Sequence, residues 1–445
     1  MVSNLQFPSV VTTGHLQPRF TFGTAAACTE LPVNILPMPY VNERRYTQMM
    51  EVEYQPTSLK DVLIEMKDIS ELMVDLAYSA ILFESREIAG EVENLEEIMN
   101  RHTYQARISG MLGARRVEEA ESMSGLLQIA ESAERIANSA TEIARIIRRG
   151  AKFPQKLREA LPEAEEVTVR VEVAPHALLD GTTLGEVKLQ SRSGMRVIAI
   201  RRGNGWIYDP DKRSVIKGGD ILLAKGIGAG VAPLHTMAGA TPEPHREWAR
   251  AGCVDDLDRA VALMIEMKNL SELAVGLAYT ALLFTNEDLA REVRALEGRM
   301  EDMRYQFDLW VLEAAKRIEN VEYLRGLLHL SSFAETIAEA ASAIADVLLR
   351  DIEIPPVFRM IVRESDEIIT RFEVEEGSAL ANRSLKEMSL ATVTGMVVLA
   401  IRRGGERWTY RPGRDERLFA GDLIVAKGRR DGEEQLATLC SGKNT

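Results

Sequence analysis

A chain of 445 residues is long enough for three or four domains of about 100–150 residues, and 46% hydrophobic content supplies packed cores. A formal charge of −13 argues against a non-specific nucleic-acid binder or a protein that lies on anionic lipid, because both need a basic face. Uncharged apolar stretches such as 76–83 and 395–401 fall far short of the roughly 18 residues that cross a bilayer, so no transmembrane segment is expected.

Residues 1–55 carry Pro8, Pro18, Pro32, Pro37 and Pro39 without an amphipathic period, and are expected to form a disordered tail. No basic segment followed by an apolar core marks a signal peptide there, and Met49 and Met50 offer a later translation start. From Ser58 the pattern becomes helical: Val62, Leu63, Met66, Ile69, Leu72, Met73 and Leu76 make one stripe. Ser58 and Ser85 are N-cap candidates, and a third helix over 119–149 completes a three-helix bundle over 56–150.

The period then drops to two. Val167, Val169, Val171 and Val173 alternate with polar residues, which predicts a half-buried strand. A short helix over 183–189 and strands over 195–200, 206–208 and 221–224 follow, giving a small α+β domain over 160–228. The Gly-, Ala- and Pro-rich stretch 229–253 is expected to be a linker. A second bundle over 254–351, a second α+β domain over 360–432 and a C-terminal tail over 433–445 complete the expected organisation.

The second half repeats the first. Met66-Lys67-Asp68-Ile69-Ser70-Glu71-Leu72 returns as Met267-Lys268-Asn269-Leu270-Ser271-Glu272-Leu273, and Gly194-Met195-Arg196 returns as Gly395-Met396-Val397, both at an offset of 201 (267 − 66 and 395 − 194). One register across the whole unit excludes a solenoid of short repeats and predicts an internal pseudo-two-fold.

The helical segments, with Leu95-Glu96-Glu97-Ile98-Met99-Asn100 and Ala133-Glu134-Arg135-Ile136-Ala137-Asn138 in the first and Leu296-Glu297-Gly298-Arg299-Met300-Glu301 and Ala334-Glu335-Thr336-Ile337-Ala338-Glu339 in the second, resemble the phosphate-uptake regulator (PhoU-like) family. That family carries acidic ExxxD motifs able to hold metal clusters. The α+β segments resemble the C-terminal ligand-sensing domain of potassium-transport regulators, the TrkA-C or RCK-C family. Four pieces carry this likeness in order: the valine-rich strand, Leu184-Gly185-Glu186-Val187, Val197-Ile198-Ala199-Ile200-Arg201-Arg202, and Gly218-Gly219-Asp220-Ile221-Leu222-Leu223. They recur at 385–388, 397–403 and 420–428. The nucleotide-binding half that usually precedes this domain in channel regulators is replaced by the bundle.

Two sets of candidate residues follow. Carboxylates four apart share a helix face, so Glu297 with Glu301 and Glu335 with Glu339 offer ligands for a divalent metal, whereas Asn100 and Asn138 break the matching set in the first copy. Arg201-Arg202 and Arg402-Arg403 end equivalent strands. In the resembling family this domain pairs through a two-fold, with a cyclic dinucleotide across the interface in some members, so these four arginines are the candidate ligand for a small anion, a nucleotide or a cyclic dinucleotide.

The three cysteines lack CxxC spacing, no histidine among His102, His176 and His329 has a counterpart 201 residues away, and no nucleophile elbow, Walker loop or HExxH motif occurs. An enzyme is not expected. The resemblance implies a cytoplasmic regulatory subunit, homo-oligomeric, without nucleic acid, that controls a membrane potassium or other monovalent-cation channel or transporter. The alternative is a metal-binding regulator of phosphate uptake acting through the bundles.

Overall fold

The structure, a computed structural model, describes residues 58–164, 166–203, 205–241, 255–318, 321–350, 367–404, 408–410 and 412–442. The expected tail over 1–55 lies outside them. Three long helices form the first bundle: α1 (Leu59–Leu82), α2 (Arg86–Gly113) and α3 (Val117–Arg148). The predicted stripe turns inward, with Val62, Leu63, Met66, Met73 and Leu76 all buried. Ser85 caps α2 through a hydrogen bond donated by the Ile88 amide, while Ser58 precedes α1 without a side-chain cap bond. A short helix, α4 (Gln155–Ala160), leads into the first α+β domain.

That domain contains β1 (Glu166–Glu172), α5 (Leu184–Val187), α6 (Leu189–Ser193), β2 (Met195–Arg202), β3 (Gly205–Tyr208), β4 (Ile221–Ile227) and α7 (Val231–Ala238). Its sheet has the order β1-β4-β2-β3, antiparallel throughout. The side-chain period of two sends alternate residues to opposite faces. Val167, Val171, Ile200 and Leu222 build a small core with α5–α7, whereas Ile198 and Leu223 join the core of the helical bundles. Trp206 marks the same seam, its indole donating to Glu87 at the start of α2.

The second half repeats this plan with α8 (Asp256–Phe284), α9 (Glu287–Ala315) and α10 (Glu322–Leu349), then β5 (Glu367–Glu373), β6 (Arg383–Ser384), α11 (Leu390–Thr394), β7 (Met396–Arg402), β8 (Trp408–Tyr410), β9 (Arg417–Leu418), β10 (Leu423–Arg429) and α12 (Arg430–Cys440). Asp255 and Asp258 form a reciprocal capping box on α8, and Asn286 caps α9. The main sheet order, β5-β10-β7-β8, matches the first copy. The chain is thus an α and α+β multidomain protein whose pattern repeats twice.

Two expectations need correction. Residues 231–238 of the expected linker are helix α7, and Leu234, Met237 and Ala238 are buried in the first sensor core. Pro233 falls in the first turn of that helix, where its missing N–H costs nothing. The expected tail likewise holds α12, which buries Leu436 and Cys440 in the second sensor core. Each small sheet needs a helix over its open apolar face, and these segments supply it.

The two halves meet along a pseudo-two-fold. Helices α3 and α10 pack together, and Gln128 donates to the Ala343 carbonyl at 2.6 Å. Ile136 and its match Ile337 lie in the shared core, each worth about 1.5–3 kcal/mol of burial. Lys67 lies over the Tyr279 ring, 5.6 Å from its centroid, and Lys268 over the Tyr78 ring at 5.3 Å, so the same pair forms in both directions across the axis. Helices α6 and α11 join the sensor domains, and the Gln190 amide donates to the Gly395 carbonyl.

Candidate functional site

A cavity of about 350 Å³ lies where all four modules meet. Its lining comes from α1, α3, α8 and α10 of the bundles, from the central strands β4 and β10 of the sheets, and from the sensor seam at Gly194 and Gly395. Strand alternation directs Lys225 of β4 and its counterpart Lys427 of β10 toward the helices. Lys225 contacts Asp75 of α1 at 2.5 Å, Glu166 of β1 at 2.9 Å and Glu272 of α8 at 3.3 Å. Lys427 contacts Glu71 of α1 at 3.2 Å. Each sensor domain therefore rests on its own bundle and reaches a glutamate of the other.

Behind these glutamates, Lys268 pairs with Glu272 at 2.8 Å and the 1% exposed Lys67 pairs with Glu71 at 3.1 Å. Burial would raise the Glu272 carboxyl, but Lys225 and Lys268 outweigh it and hold it down to about 2. Burial also opposes the charge of Lys225, yet Asp75, Glu166 and Glu272 keep its ammonium well above the ordinary value. Asp75 goes the other way. Burial, with Glu272 and Glu166 adding to it, raises its carboxyl to about 6 against the pull of Lys225. These groups escaped the sequence reading because lysine and glutamate on a helix normally face water. A signal was present all the same: Lys67 and Glu71 recur as Lys268 and Glu272, at the same four-residue spacing in both copies of the repeated segment.

The arginine pairs lie elsewhere. They end β2 and β7, while the sensor seam sits at the starts of those strands, about 23 Å away for seven residues of extended chain. Arg202 donates from Nε and Nη2 to the buried Asp220 at 2.9 and 2.7 Å. Arg403 does the same with the buried Asp422 and also reaches Glu416. Arg201 donates to the Gly203 carbonyl, and Arg402 stacks over Trp408. The expectation of four arginines around one anion is therefore corrected: each pair is engaged inside its own domain. Gly219 and Gly421, both with positive φ, form the turns that bring these aspartates back to the arginines.

The acidic set is partly gathered and partly neutralised. Burial, then Glu301, Glu339 and Asp346, raises the Glu297 carboxyl, which places these charges near one another. Glu335 is paired with Arg304, and Glu339 with Arg135 of the first bundle at 2.6 Å. Among the described residues, no three His, Cys, Asp or Glu groups converge to hold a metal ion, so the set does not fit the expected metal site. In the first copy, Glu96 is taken by Arg145 and Glu134 by Arg107.

The TrkA-C domain family matches residues 168–234 and 369–441, and the PhoU domain family matches 63–147 and 264–348. No curated protein matches the chain. Among solved structures, PhoU from Pseudomonas aeruginosa is 12% identical over 66% of this chain and 96% of its own, with a TM-score of 0.37. The GsuK channel bound to NAD is 10% identical over 73% of this chain and 66% of its own, with a TM-score of 0.17. The S. agalactiae BusR in complex with its busAB-promotor DNA is 16% identical over 39% of this chain and 96% of its own, at 0.16. Among the described residues, no helix is long and apolar enough to cross a membrane. The domain matches follow the structural repeat in both halves: the chain is a tandem duplication of a PhoU domain followed by a TrkA-C domain.

Proposed function

We propose that this chain is a ligand-sensing regulatory subunit that controls transmembrane transport of potassium, or another monovalent cation, by a separate channel or transporter. The observation that carries this reading is the pairing of two TrkA-C domains within one chain, each coupled by a central-strand lysine to the opposite PhoU bundle. A ligand that favours one arrangement of the paired sensors shifts the population of that arrangement, and the Lys225–Glu272 and Lys427–Glu71 links pass the shift to the helices. The bundles then act as the docking element for the membrane partner. With the arginine pairs engaged at the far strand ends, the ligand's place in this reading is the junction of the sensors and bundles. The function is regulatory and requires no catalytic group.

The test is deletion of the gene, with rubidium and phosphate uptake measured in parallel. A change of twofold or more in rubidium uptake at constant phosphate uptake, restored by the intact gene, supports the reading. A change confined to phosphate uptake favours the alternative, a regulator of phosphate entry, and overturns the first.

A further inference from the structure

The outer faces of the two bundles are not uniformly polar. Among the described residues fourteen large apolar side chains are exposed, and nine of them lie on the bundles, four on the first and five on the second. Exposed apolar groups scattered singly are ordinary, but a cluster that recurs in register marks a contact surface. On α2 the cluster is the exposed Tyr104 and Met111 with the half-buried Ile108 between them. Their spacing of four and three places them on one helix face, opposite the buried Met99, Thr103, Ala106 and Gly110. Adding 201 to each gives Tyr305, Leu309 and Leu312 of α9, which are 71%, 41% and 60% exposed. Helices α3 and α10 form the junction of the halves, while α2 and α9 pack within their own bundles on either side of it. The two stripes therefore lie on opposite edges of the molecule.

The stripes match in position and differ in charge. Residues 100–113 hold Arg101 and Arg107 and no acidic residue, a formal +2. The matched residues 301–314 hold Glu301, Asp302, Asp308 and Glu313 against Arg304, so their balance is 1 − 4 = −3. Arg101 and Asp302 occupy the same register position on one flank of the stripe, and neither makes an ion pair among the described residues. Arg107 and Asp308 share the other flank, where Arg107 also reaches Glu134 of α3 at 3.1 Å. The relief differs as well. A groove of about 540 Å³ opens beside the first stripe, lined by Gly110, Met111, Ala114, Met123 and Leu127 among others. In register Gly110 is replaced by Val311, whose buried side chain adds volume at that place in the second bundle.

We propose that these edges join chain to chain: the α2 stripe of one copy packs on the α9 stripe of the next, with Arg101 and Arg107 facing the α9 aspartates and an exposed α9 leucine seated in the groove beside Met111. The occupant is a second copy of this chain because the chain itself carries the complementary charge, at the same register positions of its other half. Packing α2 on α2, or α9 on α9, would set like charges together. The contact is therefore heterologous, and it extends past two chains into a ring or a row. This goes beyond the regulatory function proposed above and depends on neither its ligand nor its transport partner, so its failure leaves the uptake result standing.

The experiment is sedimentation velocity of the full chain from about 5 to about 200 µM, at low salt and at about 0.5 M salt. The weight-average mass is expected to rise with concentration past that of two chains, and high salt should weaken the association at least about threefold. Arg101→Asp and Asp302→Arg should each weaken it by at least about threefold, and an equimolar mixture of the two should restore it, since the mixture supplies one intact contact and one with its charges exchanged. Leu312→Ser should weaken it about tenfold and leave the thermal unfolding midpoint unchanged. If one charge variant does not fold, the other decides together with Leu312→Ser. A mass that stays at one chain across the whole range overturns the proposal and leaves the stripes to a different partner. A mass that stops at two chains, association indifferent to salt and to both reversals, or a mixture that fails to associate overturns it as well.

Discussion

Arg202 and Asp220 illustrate how a repeated motif can preserve a structural lock. The aspartate is buried, accepts from both Nε and Nη2 of Arg202, and also accepts from the Lys217 amide that opens the turn. Asp422 performs the same task for Arg403 and the Phe419 amide. The double arginine was legible in both copies, but its partner was not: 18 residues separate Arg202 from Asp220, and only the folded turn brings them together. Removing Asp220 strands the guanidinium and an amide donor at once. Asp220→Ala should lower stability by about 2–3 kcal/mol, while Arg201→Ala should stay within about 0.5 kcal/mol. Urea unfolding of both variants measures the contrast, and equal losses would show that the lock is not at Asp220.

At the scale of elements, the long helices and the valine-rich strand were legible because burial imposes a clear period on each. Helix α7 was hidden by Gly, Ala and Pro in its surroundings, and α12 by four charged residues among its eleven. Both become helical because an exposed sheet face needs a cover, a tertiary demand that no local pattern announces. The seam between α6 and α11 depends on close approach. Gly194 has φ +72°, and an added Cβ would sit 3.0 Å from the Thr392 backbone across the seam. Gly377, at φ +79°, has open space around it. Gly194→Ala should therefore cost about 2–3 kcal/mol, the left-handed strain plus the clash, and Gly377→Ala about 1–2 kcal/mol from strain alone. Faster amide exchange in α6 and α11 for the first variant only is the expected signature.

For the molecule as a whole, the offset of 201 residues was the most informative feature of the sequence, and the structure turns it into a shared core. Ala334, Ile337 and Ala341 of α10 lie in one continuous cluster with Ile136 and Ala140 of α3, so neither half can close its apolar surface alone. A fragment comprising residues 255–445 should therefore form a homodimer that substitutes a second copy for the missing half, with sedimentation velocity reporting its mass; a stable monomer would show that the interface is dispensable. The reciprocal stacking of Lys67 on Tyr279 and Lys268 on Tyr78 makes that substitution geometrically natural. Covalent fusion also permits something a true homodimer cannot achieve. In a dimer of identical chains, every mutation beside the axis appears twice. Here Asp75 of the first copy is matched in register by Gly276 of the second (75 + 201 = 276), so a change near the dyad can alter one side of the centre while the other keeps the framework intact.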